Sequence, residues 1–209
     1  MKKKSIIAGA VLITAIVISG CANKPEFSGS SSLSSRNDAF SESSHSEAES
    51  GKALVNFMFS VKSTSARIAE IYVKHSNPPY RVHLNIDGKS IILESEPVLE
   101  DKAPIDPNMP ESGTGWKYTF SKQMTLAPGK HTLTIALPID KVLVEGKIVL
   151  QAGMNTISLN PLYNRKLLRP SKSQSFSAGV KTVEVAVNGI DVPVVNLNDS
   201  FGSRVVTKK

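Results

Sequence analysis

The clearest pattern in the chain is an alternation of apolar and polar residues that begins at Ala53. In the first run, Val55, Phe57, Phe59 and Val61 share one face. Side chains of a β-strand point alternately to its two faces, so a period of two predicts a strand with one buried face.

A second alternating run covers residues 80–87 and ends in Asp87-Gly88. Its inward residues are expected to be Tyr80, Val82, Leu84 and Ile86, and its outward residues Arg81, His83 and Asn85. An Asp-Gly pair between apolar runs is typical of a tight hairpin, so residues 90–93 should pair back on this strand.

The same pattern predicts further strands in the rest of the chain. They lie at 116–125, 130–137, 141–150 and 154–159, with a less clear one at 67–74. Turn chemistry joins them, with Ala127-Pro128-Gly129-Lys130 and Ala152-Gly153 as two examples. No stretch of more than a turn or two repeats every 3.6 residues. The sequence therefore predicts an all-β fold, an antiparallel β-sandwich over residues 53–163.

Residues 164–209 form a basic extension. Eight basic residues against three acidic ones give it a charge of +5. Residues 181–192 read as a hairpin that turns at Asn188-Gly189, with Val183, Val185 and Val187 on its apolar face. The hairpin either packs on the sandwich, which we favour because an isolated hairpin is marginal in water, or pairs with a partner's edge. The charge suits anionic headgroups, acidic glycans or an acidic protein face, or is simply solvated.

The first 20 residues have the layout of a secretory signal. Three lysines precede an apolar run at residues 6–17, and Ile18-Ser19-Gly20-Cys21 comes directly after it. A transmembrane anchor would need about 20 apolar residues, which is more than the run at residues 6–17 contains. The stretch resembles a bacterial lipoprotein signal, which implies that Cys21 carries lipid and becomes the mature N-terminus. Ala22 and Asn23 come after Cys21, with no aspartate directly after it. The sorting pattern of that family then implies the outer membrane if the source is Gram-negative.

Residues 21–52 differ sharply from the alternating strands beyond them, because serine dominates this segment. Such a segment buries too little apolar surface to offset the entropy of ordering, so we expect a disordered tether. Since Cys21 is the only cysteine, no disulfide can staple the exported domain. Export also makes nucleic acid an implausible partner.

Three pieces of the middle region resemble the PEGA family of small exported β-domains. They are Val82–Lys89 with its Asp-Gly turn, Leu126–Ile135 with the pattern L-x-P-G-x-H-x-L-x-I, and Ile148–Ile157, which is similar to V-x-L-x-A-G-x-N-x-I with isoleucine at the first position. The resemblance implies an immunoglobulin- or transthyretin-like sandwich that binds at the cell envelope and does not catalyse. His131 lies in phase with Leu133 and Ile135, so it should point towards the core.

The chain departs from that family at residues 94–115, an insertion with six carboxylates and four prolines up to Glu111. We interpret it as a loop, because long loops in compact domains are often functional. It is either solvated, or a recognition loop for a partner protein or glycan, or a weak calcium site through Glu100, Asp101 and Asp106. The candidate partner-binding residues are Glu94, Glu96, Glu100, Asp101, Asp106 and Trp116, the last as the aromatic most suited to a glycan.

The sequence offers little for catalysis. His75, His83 and His131 are far apart, and no nucleophile elbow, phosphate loop or zinc spacing occurs. We therefore expect no catalytic residue, no cofactor and no resident metal. The leading hypothesis is an anchored envelope lipoprotein that binds or scaffolds another envelope component. The alternatives are a carbohydrate-binding module for peptidoglycan or surface polysaccharide, and an accessory subunit of secretion or pilus assembly.

Overall fold

The computed structural model describes residues 26–27, 38–43, 48–67, 78–102, 106, 108–165, 173–201 and 205–206. The signal segment, Cys21, most of the serine-rich segment, His75 and nearly all of the strand predicted at 67–74 lie outside the described residues. In the described part, no helix is long and apolar enough to span a membrane.

The fold is all-β, as the sequence predicts. The strands are β1 (Glu26–Phe27), β2 (Phe40–Glu42), β3 (Ala53–Ser63), β4 (Arg81–Ile86), β5 (Lys89–Glu94), β6 (Val98–Lys102), β7 (Gly113–Leu126), β8 (Gly129–Leu137), β9 (Val142–Leu150), β10 (Gly153–Tyr163), β11 (Val180–Val187), β12 (Ile190–Val192), β13 (Val194–Asn196) and β14 (Val205–Val206). Short 3-10 helices occupy Phe176–Ala178 and Asn198–Ser200.

Two sheets pack face to face as a sandwich. Sheet I has the order β12-β11-β10-β3-β7-β2, and β6 also pairs with β7. Sheet II has the order β13-β9-β8-β4-β5. Within these sheets the pairings are antiparallel apart from β3 with β10, which is parallel. A separate antiparallel pair joins β1 to β14.

The alternating residues form the core between the sheets. Val55, Phe57, Phe59 and Val61 are buried on β3, as predicted, and so are the inward residues of β4. Tyr80 and Tyr118 pack with ring centroids 5.2 Å apart. Aromatic pairs at this distance add to the stabilisation from apolar burial.

The predicted hairpin turns are present. Asp87 and Gly88 have φ values of 51° and 94°, and Asn188 and Gly189 have 52° and 77°. Positive φ at both central residues gives a two-residue turn the twist that antiparallel strands need. The β11–β12 hairpin pairs with β10 of the same chain, and Val183, Val185 and Val187 are buried.

The outward side of β4 differs from the prediction. His83 and Asn85 are buried instead of solvent-exposed. His83 lies opposite Ala136 on β8, and Ala136 packs in a small apolar cluster with Leu197 and Phe201. The outer face of sheet II is therefore covered near its centre by the chain's C-terminal part, which the strand pattern alone does not reveal.

The serine-rich segment also differs in part. Phe40–Glu42 is a strand on β7, and Phe40 is only 3% exposed. Phe40, with Ala39 packed beside it on the core, supplies apolar surface that the neighbouring serines lack. Glu26–Phe27 of the same segment is also a strand, paired with β14. For the undescribed part of residues 21–52, disorder stays a prediction.

Candidate functional site

The insertion at residues 94–115 contributes a strand, β6, to sheet I, which the prediction of a loop did not include. β6 pairs antiparallel with the start of β7, from Val98 opposite Lys117 to Lys102 opposite Gly113. Pairing is possible because 98–102 contains no proline. In the sequence the prolines lie on either side of β6, at 97, 104, 107 and 110, where they do not interrupt its ladder.

A buried lysine on the outer face of sheet I organises the insertion. The Lys62 ammonium donates to Glu100 Oε2 at 3.2 Å, to the Glu111 carbonyl at 3.0 Å and to the Gly113 carbonyl at 2.6 Å. Its side chain has no solvent exposure. An ammonium group has three donors, and here each has an acceptor, so the charge is buried with its hydrogen bonds satisfied.

Glu100 therefore has a structural role, since its carboxylate is held by ion pairs within the fold. Its second carboxylate oxygen lies 3.5 Å from Lys117 Nζ, so one carboxylate bridges two lysines. Strand register explains the meeting: Lys62 lies opposite Lys117, and Glu100 opposite Gly115, on neighbouring strands. This geometry removes Glu100 from the set of exposed recognition residues that the sequence suggests.

Phe176, from the basic extension, covers Lys62. The Phe176 ring lies 5.2 Å from Lys62 Nζ, a cation–π contact. A Cβ at Gly115 would lie 2.7 Å from this ring and 2.8 Å from Lys62 Cε, so only glycine fits there without a shift. The Tyr163 hydroxyl donates to Glu111 Oε1 at 2.7 Å and accepts from Lys62 N at 3.0 Å. Burial, followed by the Glu111 carboxylate, raises the pKa of Tyr163.

The remaining candidate residues are dispersed. Glu94 pairs with Arg81 at 2.6 Å, Asp101 accepts from Thr114 Oγ1 at 2.8 Å, and Asp106 accepts from the Asn108 amide at 2.8 Å. Glu96 is exposed, and Trp116 is half-buried against the core. Sequence reasoning missed Lys62, Glu111 and Tyr163, whose roles depend on contacts between distant parts of the chain.

A calcium site through Glu100, Asp101 and Asp106 does not form. Glu100 and Asp101 are consecutive on β6, so they point to opposite faces. The described residues contain no group of three His, Cys, Asp or Glu side chains that could hold a metal ion.

The insertion does form a groove at the edge of sheet I. It has a volume of about 330 Å³ and is lined by Ser95, Glu96, Val98, Leu99, Glu100, Lys117 and Thr119. Val98 is 68% exposed and Leu99 56% exposed, although both belong to a strand. Apolar side chains on both faces of an edge strand are a feature of sites that receive another chain.

The residues that carry the family resemblance meet at one end of the sandwich. His131 Nδ1 lies 2.7 Å from Asp87 Oδ2 and its Nε2 lies 2.8 Å from the Ala127 carbonyl. Asp87 Oδ1 accepts from the Thr132 amide at 2.7 Å. His131 is buried, as predicted, and these bonds join the Asp-Gly turn to the Pro-Gly turn. Both ring nitrogens are occupied within the fold, so this His–Asp pair supports the turns.

His83 lies on a different strand and face from this pair. Burial, with a smaller contribution from Arg81, lowers its pKa to about 4. The imidazole is therefore neutral at physiological pH. It is fully buried opposite Ala136 of β8 and belongs to the packing of sheet II.

The candidate site is thus the groove beside β6, built on Lys62 and Glu100. Comparison of the chain with protein-family models, curated proteins and solved structures finds no match.

Proposed function

We propose that this protein is a lipid-anchored envelope protein whose β-sandwich holds a partner protein at the groove beside β6. Cys21 would carry the lipid, the serine-rich segment would act as tether, and the sandwich would bind without catalysing. The observation that carries the binding proposal is the exposure of Val98 and Leu99 on an edge strand that borders a groove.

The chemistry of the groove favours a protein strand as the partner. β6 pairs with β7, and its other edge pairs with no described strand. An extended peptide can add to such an edge through backbone hydrogen bonds, while side-chain contacts give specificity. Val98 and Leu99 offer apolar contacts, and the exposed carboxylates of Glu96 and Asp101 flank them. A partner strand with apolar residues beside a lysine or arginine would match this surface.

The glycan alternative lacks a comparable support. Aromatic rings that bind sugars present an open face, whereas Trp116 packs half-buried against the core. The tail hairpin is also less suited to strand addition than β6, since β12 has three residues and Pro193 comes directly after it.

Site-specific photocrosslinking in intact cells tests the binding proposal. A photoreactive residue at Leu99 should capture one protein. The matched control is Val149 on sheet II, which is 59% exposed against 56% for Leu99. Equal capture at both positions, or retention on purified cell wall that is lost in Trp116→Ala, would contradict the proposal. The anchor has a separate test: radiolabelled palmitate should enter the wild type, and labelling of Cys21→Ala would refute it.

A further inference from the structure

The strand β2 occupies a second edge position, away from the groove beside β6. Phe40, Ser41 and Glu42 lie opposite Leu126, Thr125 and Met124 of β7, and the Ser43 amide donates to the Gln123 carbonyl at 3.2 Å. The Phe40 side chain enters the core cluster at this end of the sandwich. The described residues 38–43 of the serine-rich segment are therefore docked on this edge of β7.

The site that holds β2 recognises two features of it. Lys89 Nζ donates to the Phe40 carbonyl at 2.5 Å and lies 4.7 Å from the centre of the Phe40 ring. Two residues later, the Glu42 carboxylate pairs with Lys122 Nζ. The chemistry that fits is an extended peptide with an aromatic residue two positions before a carboxylate. We call this site, formed by Lys89, Lys122 and the β7 edge at 123–126, the strand seat.

Several observations indicate that β2 is held less firmly than its neighbours. β2 pairs through three residues, whereas β3 pairs with β7 through eleven. A cavity of about 500 Å³ lies between the docked segment and the end of the sandwich where Asp87 and His131 meet. The Phe40 ring, the short ladder and the contacts of Lys89 and Lys122 must together offset the entropy of ordering this segment.

We propose that the strand seat is a peptide-binding site that residues 38–43 of the same chain occupy. These residues exchange between the docked state and a released, solvent-exposed state. When they are released, the seat binds an added extended peptide of the same aromatic-x-carboxylate chemistry. The chain thus regulates access to one sheet edge with its own N-terminal segment. This inference is independent of lipid attachment and of the groove beside β6.

Hydrogen exchange on the intact chain tests the release. The amides of Ser41–Ser43 should exchange at least 100-fold faster than those of Leu54–Phe57, which pair with the opposite edge of β7. Equal protection would show that β2 is a fixed part of the sheet and would overturn the proposal. A cysteine pair, Ser41→Cys with Thr125→Cys in a Cys21→Ala background, should form an intrachain disulfide, because these positions face each other across the ladder. Failure to form it would contradict docking.

Peptide binding tests the seat. A fluorescent peptide of residues 36–45 should bind the Phe40→Ser variant at least tenfold more tightly than it binds wild type. The control peptide carries the same substitution and should not bind. Fluorescence of Trp116 checks that the variant is folded. If the variant does not fold, the peptide is added to wild type at increasing concentration. Its binding should then accelerate hydrogen exchange of the Ser41–Ser43 amides. Absence of binding to a folded Phe40→Ser variant would refute an exchangeable seat.

Discussion

Substitution of Lys62 by methionine tests how the insertion is held. Methionine keeps most of the side-chain volume but removes the ammonium that contacts Glu100 and the carbonyls of Glu111 and Gly113. Loss of one partner of a buried ion pair destabilises by about 3–5 kcal/mol. Glu100 keeps Lys117 at 3.5 Å and is one-quarter exposed, which limits the effect. We therefore expect a loss of about 3 kcal/mol, at the lower end of that range.

Lys117→Met is the matched control. It removes the other lysine from the same carboxylate, but its side chain is 31% exposed and the distance is longer. Exposed ion pairs contribute about 0–1 kcal/mol. The double variant Lys62→Met with Glu100→Gln closes a thermodynamic cycle, and a coupling energy of about 2 kcal/mol is expected for groups in direct contact.

Urea unfolding measured by tryptophan fluorescence is the assay. Trp116 is the only tryptophan and lies on β7 opposite Ser63 of β3 and Leu99 of β6, so it reports on this region. The slope with urea should stay constant, so that midpoint shifts give stability differences. If Lys62→Met and Lys117→Met destabilise equally, Lys62 does not organise the insertion and the reasoning is wrong.

Three further predictions concern other parts of the fold. Burial lowers the pKa of His83 to about 4 in the folded protein, against 6.5 in the unfolded chain. Between these values the unfolded state binds more protons, so stability falls as the pH falls. About 3 kcal/mol of unfolding free energy should be lost between pH 7 and pH 4. His83→Leu should remove this pH dependence of stability, measured by urea unfolding from pH 7 to 4. Burial raises the pKa of Asp140, whose opposite contribution is common to both proteins and cancels in their difference. Stability curves that run parallel for wild type and His83→Leu would contradict the prediction. Gly115→Ala should destabilise by about 1–3 kcal/mol, because its Cβ meets the Phe176 ring, and an unchanged melting midpoint would refute this contact. His131→Gln should lose about 1.5–3 kcal/mol and expose the Asp-Gly turn to faster hydrogen exchange, whereas unchanged protection would mean that the histidine does not tie the two turns.

The sequence predicts most of the strands because burial of one face imposes a period of two. It also predicts the hairpin turns, since Asp87-Gly88 and Asn188-Gly189 tolerate the positive φ that such turns need. It does not predict the burial of Lys62, because the same alternation assigns this residue to an outer face. Two of its acceptors are backbone carbonyls about 50 residues away, and backbone atoms leave no trace in residue identity.

The errors at His83 and Phe40 have related causes. Alternation identifies which residues share a face but not whether another segment covers that face. His83 is buried on the outer face of sheet II, where Leu197 and Phe201 pack against Ala136 and Leu143 of the neighbouring strands. Phe40 lies in a segment dominated by serine, so average composition predicts disorder although the Phe40 ring is buried and residues 40–42 form a short strand. The prediction of a loop at 94–115 is wrong because residues 98–102, which lie between prolines and include two carboxylates, form the strand β6.

The most direct test of the proposed binding role is co-purification of the partner captured at Leu99. Detergent-solubilised envelopes would be compared for wild type, Leu99→Lys and the matched surface variant Val149→Lys. We expect the partner to remain with wild type and Val149→Lys and to be lost at least tenfold with Leu99→Lys, while urea midpoints of all three stay equal. Retention of the partner by a folded Leu99→Lys variant would contradict the account.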